Sequence, residues 1–290
     1  MNSLSLRSPA KVNLDLRILG RYPDGYHRLL TLFHRISVCD SLRLVARREA
    51  LVIHCRHPAV PCDERNIMAK AYRLLKKCFP ELPGVDVYLK KVIPVAAGLG
   101  GGSGNAAAFL LGMKKLFRLK INRSELMKLG GRLGADVPFF LTETTQALGT
   151  CRGDKIKSLQ CHAKKWFVLI VSDRGLSTSD VYRKLSRHLP AVSLTKLERT
   201  VRIATHFLDS GMLVEADKIL KNDLEKPAFQ LQPAIQNTVR KAVDLGVPLV
   251  RMSGSGPTVF AVFPSLKEAR AFARRIKHAL KQKVIVCHSY

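Results

Sequence analysis

The segment formed by residues 98–104 constrains the fold more than any other part of the chain, because five of its seven residues are glycine. An alternating strand pattern over residues 85–92 precedes it, and a helical pattern over residues 105–117 follows it. Glycine is needed where a backbone adopts positive φ or lies against a ligand. The first turn of the following helix offers unpaired N–H groups and the positive end of the helix dipole. The segment therefore predicts an anion site suited to a polyphosphate.

Three other interpretations of this segment can be compared with a phosphate loop. A Walker A loop requires a Gly-Lys pair, and the chain contains none. The pattern Gly102-x-Gly104-x-x-Ala107 fits a permissive dinucleotide fingerprint, but two successive helices follow it rather than a helix and a strand. A glycine-rich turn without a ligand is the third interpretation, although glycines destabilise a chain that gains nothing from them.

The order of the remaining patterns predicts an α+β fold. Residues 4–18 alternate between apolar and polar side chains, which is typical of a half-buried strand. Strand patterns come in clusters, with helical patterns between and after them, rather than in a regular βαβ order. A polar, glycine-bearing stretch near residues 149–158 predicts a domain boundary, which divides the chain into residues 1–153 and 154–290.

Two ionisable residues outside the glycine segment are candidates for chemistry. Lys11 lies with Asn13 on the polar face of the first strand pattern, where a lone lysine is usually a solvated charge. Asp136 precedes the apolar residues 137–141, so we expect its carboxylate to be partly desolvated and to need a cationic partner, for which Lys11 suffices. Residues 252–257 predict either a tight hairpin or a second glycine loop with amides facing the active site.

Charge and composition narrow the classes of partner. The chain has 49 Lys and Arg against 22 Asp and Glu, a net charge of +27 that attracts acidic partners. These basic residues are spread along the whole chain, so we expect no dedicated nucleic-acid partner. No apolar run approaches the ~20 residues that span a bilayer, and no signal peptide is evident, so we expect a cytoplasmic protein without a membrane partner. Seven cysteines without a C-x-x-C pair predict neither zinc nor disulfides.

Three segments of the chain together resemble a known family. Residues 9–13, 94–107 and 252–256 are similar, in order and spacing, to the signature motifs of the galactokinase, homoserine kinase, mevalonate kinase and phosphomevalonate kinase (GHMP) superfamily. The resemblance implies a two-domain architecture, with an N-terminal ribosomal-protein-S5-domain-2-like domain and a C-terminal ferredoxin-like domain. It also implies ATP and Mg²⁺ as cofactors, a small-molecule acceptor, and a monomer or homodimer.

Two further motifs resemble one branch of that superfamily. Residues 23–27 read Pro-Asp-Gly-Tyr-His and residues 222–225 read Asn-Asp-Leu-Glu. They are similar to the branch that uses ATP to phosphorylate the 2-hydroxyl of 4-diphosphocytidyl-2-C-methyl-D-erythritol, in the non-mevalonate (methylerythritol phosphate) route to isoprenoid precursors. The resemblance therefore implies a cytidyl substrate.

The resemblance also implies residue roles. Asp136 takes the proton of the hydroxyl, and Lys11 pairs with Asp136 and steadies charge near the accepting oxygen. The ATP-binding residues it implies are Pro94, Val95, Ala96, Ala97, Gly98, Leu99, Gly100, Gly101, Gly102, Ser103 and Gly104, with Asn66 near the adenine. The substrate-binding residues it implies are Asn13, Tyr26, His27, Tyr182, Gly254 and Gly256, and Ser103 is the candidate magnesium ligand.

Two residues depart from the common form of the family loop. Ala96 stands where glycine is common, ahead of the tightest part of the loop, and we expect it to be harmless. Gly104 replaces a serine whose hydroxyl could contact phosphate, so we expect weaker ATP binding. Two alternative functions are a GHMP-type kinase with another acceptor and a basic, non-enzymatic RNA-binding protein.

Overall fold

The computed structural model describes residues 2–185 and 193–290, and these residues form two compact units. Unit 1 contains the residues up to Ala10, Val38–Val95 and Gly100–Glu143. Unit 2 contains Lys11–Ser37, Ala96–Leu99 and the described part of Thr144–Tyr290. Two long paired strands, β1 (Ser3–Arg21) and β2 (His27–Arg47), contribute residues to both units.

Unit 1 combines a sheet with helices. Its further elements are β3 (Leu51–Cys55), α1 (Ile67–Cys78), β4 (Gly84–Lys90), α2 (Gly101–Leu116), α3 (Arg123–Leu133) and α4 (Val137–Leu141). Strand β4 pairs in parallel with β3 and antiparallel with the last part of β2. Gly112 lets α2 approach the sheet, since a Cβ there would lie 2.5 Å from side-chain atoms of Leu6 and Leu44. The apolar face of this sheet is therefore buried under α2.

Unit 2 contains the following elements besides the remaining parts of β1 and β2: β5 (Gln146–Thr150), β6 (Lys155–Leu159), β7 (Trp166–Val171), α5 (Thr178–Arg183), α6 (Leu194–Asp209), α7 (Leu213–Ile219), α8 (Glu225–Leu231), α9 (Pro233–Asp244), β8 (Val250–Met252), β9 (Val259–Phe263), α10 (Leu266–Leu280) and β10 (Lys283–His288). Strands β10, β7, β9 and β8 form an antiparallel sheet in that order. The core of this unit joins residues of that sheet, such as Val168 and Ala261, to Phe272 and Ile276 of α10.

The α+β fold predicted from the sequence is confirmed, and residues 249–263 do form a hairpin through β8 and β9. The prediction of a half-buried first strand is wrong over residues 10–16, all of which are buried, so the polar side chains of Lys11 and Asn13 are enclosed rather than solvated. Helix α2 begins four residues earlier than predicted, inside the glycine segment. The domain boundary after residue 153 stays a prediction. Among the described helices, none is long and apolar enough to cross a membrane.

Candidate active site

The glycine segment turns sharply and then becomes a helix. Gly98 and Gly100 have φ of +73° and +68°, in the left-handed region that favours glycine. Helix α2 starts at Gly101, and no side chain caps its first turn. Its leading N–H groups have no partner within the helix, and the positive end of the helix dipole lies at the same point. This geometry suits a bound anion, as the sequence predicts.

A buried ion pair fixes the chain just ahead of the glycine segment. Asp40, fully buried on β2, accepts hydrogen bonds from the backbone N–H groups of Val92 (2.7 Å) and Ile93 (2.8 Å) and pairs with the ammonium group of Lys91. A Cβ at Gly101 would lie 2.7 Å from that ammonium group, so a side chain at the first residue of α2 would displace Lys91 from its position beside Asp40. Sequence reasoning missed this pair, although an acid within an apolar strand was a visible signal.

Gly104 packs against β1. A Cβ at this position would lie 2.9 Å from both the Pro9 carbonyl oxygen and the Ser8 hydroxyl. That hydroxyl donates to the side-chain oxygen of Asn105 at 2.9 Å, which ties β1 to α2. Glycine therefore fits the close approach of the helix to the strand, while the predicted weakening of ATP binding stays a prediction.

Asp136 lies in the turn between α3 and α4. It is half-buried and immediately precedes α4, whose residues Val137 and Phe139 are fully buried. The Ser103 hydroxyl lies 4.0 Å from the position of a Cβ at Gly134, so the start of α2 and this turn are neighbours within unit 1. The structure thus brings Ser103 close to the turn that carries Asp136. The pairing of Asp136 with Lys11 stays a prediction.

Lys11 is the centre of a buried polar cluster in unit 2. Its ammonium group donates to the side-chain oxygen of Asn13 (2.5 Å) and to the carbonyl oxygen of Gly98 (3.0 Å), and its backbone N–H donates to Leu99. The side-chain amide of Asn13 donates in turn to the Thr31 hydroxyl at 2.8 Å. Because a buried ammonium group needs such partners, the lysine holds the first part of the glycine segment against β1.

The second glycine segment completes this cluster. The Ser253 hydroxyl donates to the Gly98 carbonyl oxygen at 2.9 Å, and a Cβ at Gly254 would lie 3.2 Å from Asn13 and 3.4 Å from Lys11. Gly256 has a φ of +80°, and a Cβ there would lie 2.5 Å from the sulfur of Met252. Residues 252–257 are therefore both a hairpin turn and a wall of the Lys11 cluster.

Asn222 fixes the second glycine segment through its side chain. Its amide donates to the carbonyl oxygens of Met252 (2.8 Å) and Gly254 (2.9 Å). Glu225 accepts from the backbone N–H of Met252 at 2.8 Å. Burial raises the pKa of the Glu225 carboxyl; the Met252 hydrogen bond and the nearby Arg251 oppose this shift. Two residues of the motif at 222–225, Asn222 and Glu225, therefore hold the hairpin backbone in place by hydrogen bonds.

The candidate cytidyl-binding residues lie together in unit 2. Tyr26 is 59% exposed, and the rings of His27 and Tyr182 contact each other with centroids 4.9 Å apart. Burial, and then Arg21, lowers the pKa of His27 below 6.5, so its imidazole is neutral at pH 7 and can both donate and accept hydrogen bonds. Sequence reasoning missed Arg152, whose guanidinium lies 4.5 Å from the Tyr26 ring centroid.

Asn66 occupies a capping position. Its side-chain oxygen accepts from the backbone N–H of Met68 at 2.9 Å, and its amide donates to the Pro61 carbonyl oxygen at 2.6 Å. Both ends of the side chain therefore have protein partners in unit 1.

Of the loop residues ahead of Gly98, Ala96 is exposed with a φ of +52°, whereas Ala97 is buried.

Comparisons with known proteins agree with this geometry. Residues 66–144 match the family model described as GHMP kinases N terminal domain, and residues 206–282 match GHMP kinases C terminal. A 4-diphosphocytidyl-2-C-methyl-D-erythritol kinase of Thermosynechococcus vestitus is 36% identical over 288 residues, covering 95% of this chain and 92% of the relative. One from Syntrophus aciditrophicus is 39% identical over 268 residues, covering 92% of each chain.

Solved structures give the same result. A crystal structure of 4-(cytidine 5'-diphospho)-2C-methyl-D-erythritol kinase has a TM-score of 0.79 at 29% identity and covers 98% of each chain. A homoserine kinase from Cytophaga hutchinsonii has a TM-score of 0.77 at 18% identity, a likeness of fold alone. Because relatives at 36% and 39% identity match almost the whole chain, and the glycine segment ends in an uncapped helix start, the protein belongs to the 4-diphosphocytidyl-2-C-methyl-D-erythritol kinases of the GHMP superfamily.

Proposed function

We propose that this chain transfers the γ-phosphoryl group of ATP to the 2-hydroxyl of 4-diphosphocytidyl-2-C-methyl-D-erythritol. The observation that carries the proposal is the start of α2, where two positive-φ glycines lead into a helix without a side-chain cap. Phosphoryl transfer depends mainly on positioning and charge neutralisation. An uncapped helix N-terminus supplies fixed N–H donors for phosphate oxygens.

Asp136 is the proposed base for the hydroxyl proton. It is half-buried beside fully buried apolar residues, and it neighbours the start of α2 through the Gly134 turn. A carboxylate near the transferring phosphoryl group accepts the proton as the new O–P bond forms. Lys11 is proposed to steady negative charge near the accepting oxygen, while its contact with Gly98 keeps the glycine segment in place.

Magnesium is the proposed metal cofactor. The described residues contain no cluster of three or more His, Cys, Asp or Glu side chains that could hold a metal ion. Mg²⁺ in kinases needs only one or two protein oxygens, because substrate phosphates and water supply the rest. The Ser103 hydroxyl, beside the turn that carries Asp136 in unit 1, is the protein oxygen that would hold Mg²⁺, and the ion would supply charge neutralisation on the phosphate oxygens.

The cytidyl group is proposed to bind Tyr26, His27 and Tyr182. The two tyrosines offer ring faces for stacking, and the neutral imidazole of His27 offers one donor and one acceptor to the cytosine edge. Asn13 and the glycines at 254 and 256 are proposed to contact the rest of the substrate. We also propose that the enzyme works in the cytoplasm as a monomer or homodimer.

ATP turnover measured with three acceptors tests the function. We expect phosphorylation of 4-diphosphocytidyl-2-C-methyl-D-erythritol, and much slower reaction with mevalonate or homoserine. The variant Asp136→Asn should lower kcat by ~10²–10⁴-fold, the usual contribution of a general base, while ATP still binds. Asp173→Asn, on an exposed aspartate, is the matched control. If the enzyme prefers mevalonate or homoserine, the proposed substrate is wrong. If Asp136→Asn has an unchanged kcat, Asp136 is not the base.

A further inference from the structure

One face of the unit 1 sheet carries three planar side chains in a single cross-strand row. The strand register places Arg43 of β2 opposite Tyr88 of β4, and Tyr88 beside His54 of β3. The imidazole stacks on the Tyr88 ring with centroids 4.5 Å apart and planes 12° from parallel. The Arg43 guanidinium lies 5.3 Å from the centroid of the same ring. We call this row and its neighbours on the same side of the sheet the Tyr88 face.

The Tyr88 face is the exposed side of the sheet. Along β4, the side chains of Val85, Val87 and Leu89 are buried, whereas Tyr88 keeps 45% of its surface exposed. Lys90, which shares the outward direction, is exposed as well. The face therefore presents an aromatic group to solvent on a regular, hydrogen-bonded platform.

Positive charge surrounds the row. Arg47 of β2 and Lys90 of β4 are both exposed on the same side as Tyr88. Asp86 is the acidic outward residue of β4, and it is engaged by both Arg47 (3.2 Å) and His54 (3.0 Å). The face is thus basic overall, in a chain whose net charge is +27.

We propose that the Tyr88 face binds single-stranded nucleic acid, as an activity additional to the kinase reaction. Bases stack on guanidinium planes and on imidazole rings, and the row ends in one of each; the Tyr88 ring lies between Arg43 and His54 and holds them in place. Flanking lysine and arginine side chains neutralise backbone phosphates. Surfaces that bind bilayers instead need a broad apolar face, which the outward residues of these strands do not provide.

This proposal departs from the sequence-based expectation of no dedicated nucleic-acid partner. That expectation rests on the spread of lysine and arginine residues along the whole sequence. The fold gathers Arg43, His54 and Tyr88 from three strands into one row, and only the strand register makes that row apparent.

Fluorescence anisotropy with a labelled oligouridylate of about 12 nucleotides, close to the site sizes of single-strand binders, tests the proposal. We expect the wild type to bind this strand more tightly than a duplex of equal length. Tyr88→Ala should weaken binding by about tenfold, the usual effect of losing one stacked base, because Arg43 and His54 lose the ring that orients them, whereas Tyr88→Phe should retain it. Kinase turnover should be unchanged in both variants, because Tyr88 has no part in the proposed active site.

Two further variants separate a loss of stacking from a loss of positive charge and from misfolding. The variant with Lys267→Gln, Arg270→Gln and Arg274→Gln removes three exposed charges from α10 and leaves the Tyr88 face intact. It should weaken single-strand and duplex binding alike. If Tyr88→Ala misfolds, His54→Ala provides a second test of the row. The proposal is overturned if Tyr88→Ala and His54→Ala bind the strand like wild type, if the duplex binds equally well, or if anionic phosphatidylserine vesicles bind in preference to the oligonucleotide.

Discussion

The two glycine-rich segments of the chain use glycine in different ways. In residues 98–104, positive-φ glycines lead into α2, whose first turn has no side-chain cap. In residues 252–257, glycines of similar φ form a hairpin turn, and several of its polar groups have partners within unit 2. The N–H of Ser253 donates to Thr258, that of Gly256 donates to Ser253, and Asn222 binds two carbonyl oxygens.

The number of glycines therefore does not distinguish a ligand loop from a structural turn. The first segment leaves N–H donors for an anion, whereas the second uses several of its hydrogen-bonding groups to fix its own turn and supports the first through the Ser253–Gly98 hydrogen bond. Substitutions that separate binding from packing can test this difference.

Gly98→Ala should have the largest effect. A Cβ there would lie 2.2 Å from the Ser253 carbonyl oxygen, a backbone atom that cannot move aside alone, and the φ of +73° adds strain. We expect the free energy of unfolding to fall by at least ~3 kcal/mol, with loss of turnover. Urea unfolding followed by fluorescence measures the first effect, and ATP turnover the second.

Gly102→Ala is the matched control for that variant. A Cβ there meets nothing within 4 Å, and alanine is favoured over glycine inside a helix by about 1 kcal/mol. We expect unchanged or higher stability together with a raised KM for ATP, because the added methyl group would be exposed in the first turn of α2, where phosphate is proposed to bind. Unchanged KM for ATP would remove residues 101 and 102 from the anion site.

Asn222→Ala tests the second segment as a support. The buried Asn222 side chain donates to two carbonyl oxygens and accepts from the backbone N–H of Leu224 at 2.9 Å. Leaving buried carbonyl groups unpaired costs ~1–3 kcal/mol, so we expect a stability loss of that size and a lower kcat. Asn237→Ala, on an exposed asparagine of α9, is the control. Wild-type stability in Asn222→Ala would contradict the supporting role.

The sequence predicted the parts of this molecule that depend on local pattern. The α+β class, the strand before the glycine segment, the helix after it and the hairpin at residues 249–263 all follow from periodicity and glycine placement. The start of α2 was predicted too late because glycine is a poor helix former, and tertiary packing against Ser8 and Lys91 overrides that propensity.

The candidate site was only partly predictable. The glycine segment and Lys11 could be found by motif, but the alternating pattern of β1 predicted a solvated lysine that is in fact buried. Its partners, Gly98 and Asn13, satisfy the ammonium group in a way that no single-sequence pattern shows. Ser253 and the Asp40–Lys91 pair were missed because each acts on residues distant in sequence.

Glu225→Gln should change stability less than Asn222→Ala does, and the change should depend on pH. Burial raises the pKa of the Glu225 carboxyl, so its protonated form favours folding, and that stability is lost as pH rises through the folded pKa. Glutamine keeps an acceptor for the Met252 N–H without the buried charge. We expect the variant to be more stable than wild type at pH 7, with the difference closing below pH 4.5. Thermal unfolding across this range measures it, and a wild type that is more stable at pH 7 would show that Arg251 outweighs burial.

Ala96→Gly should give the smallest effect, and in the opposite direction to Gly98→Ala. The sequence led us to expect Ala96 to be harmless, yet its φ of +52° lies in the left-handed region, where a side chain costs ~1–2 kcal/mol. Glycine removes that strain but adds freedom to the unfolded chain, so the net gain should be under about 1 kcal/mol. Because Ala96 is exposed, no packing is lost. A decrease in unfolding free energy would mean that the methyl group contributes a contact, for which the backbone at Gly175 is a candidate, since a Cβ added to Gly175 would lie 3.6 Å from the Ala96 Cβ.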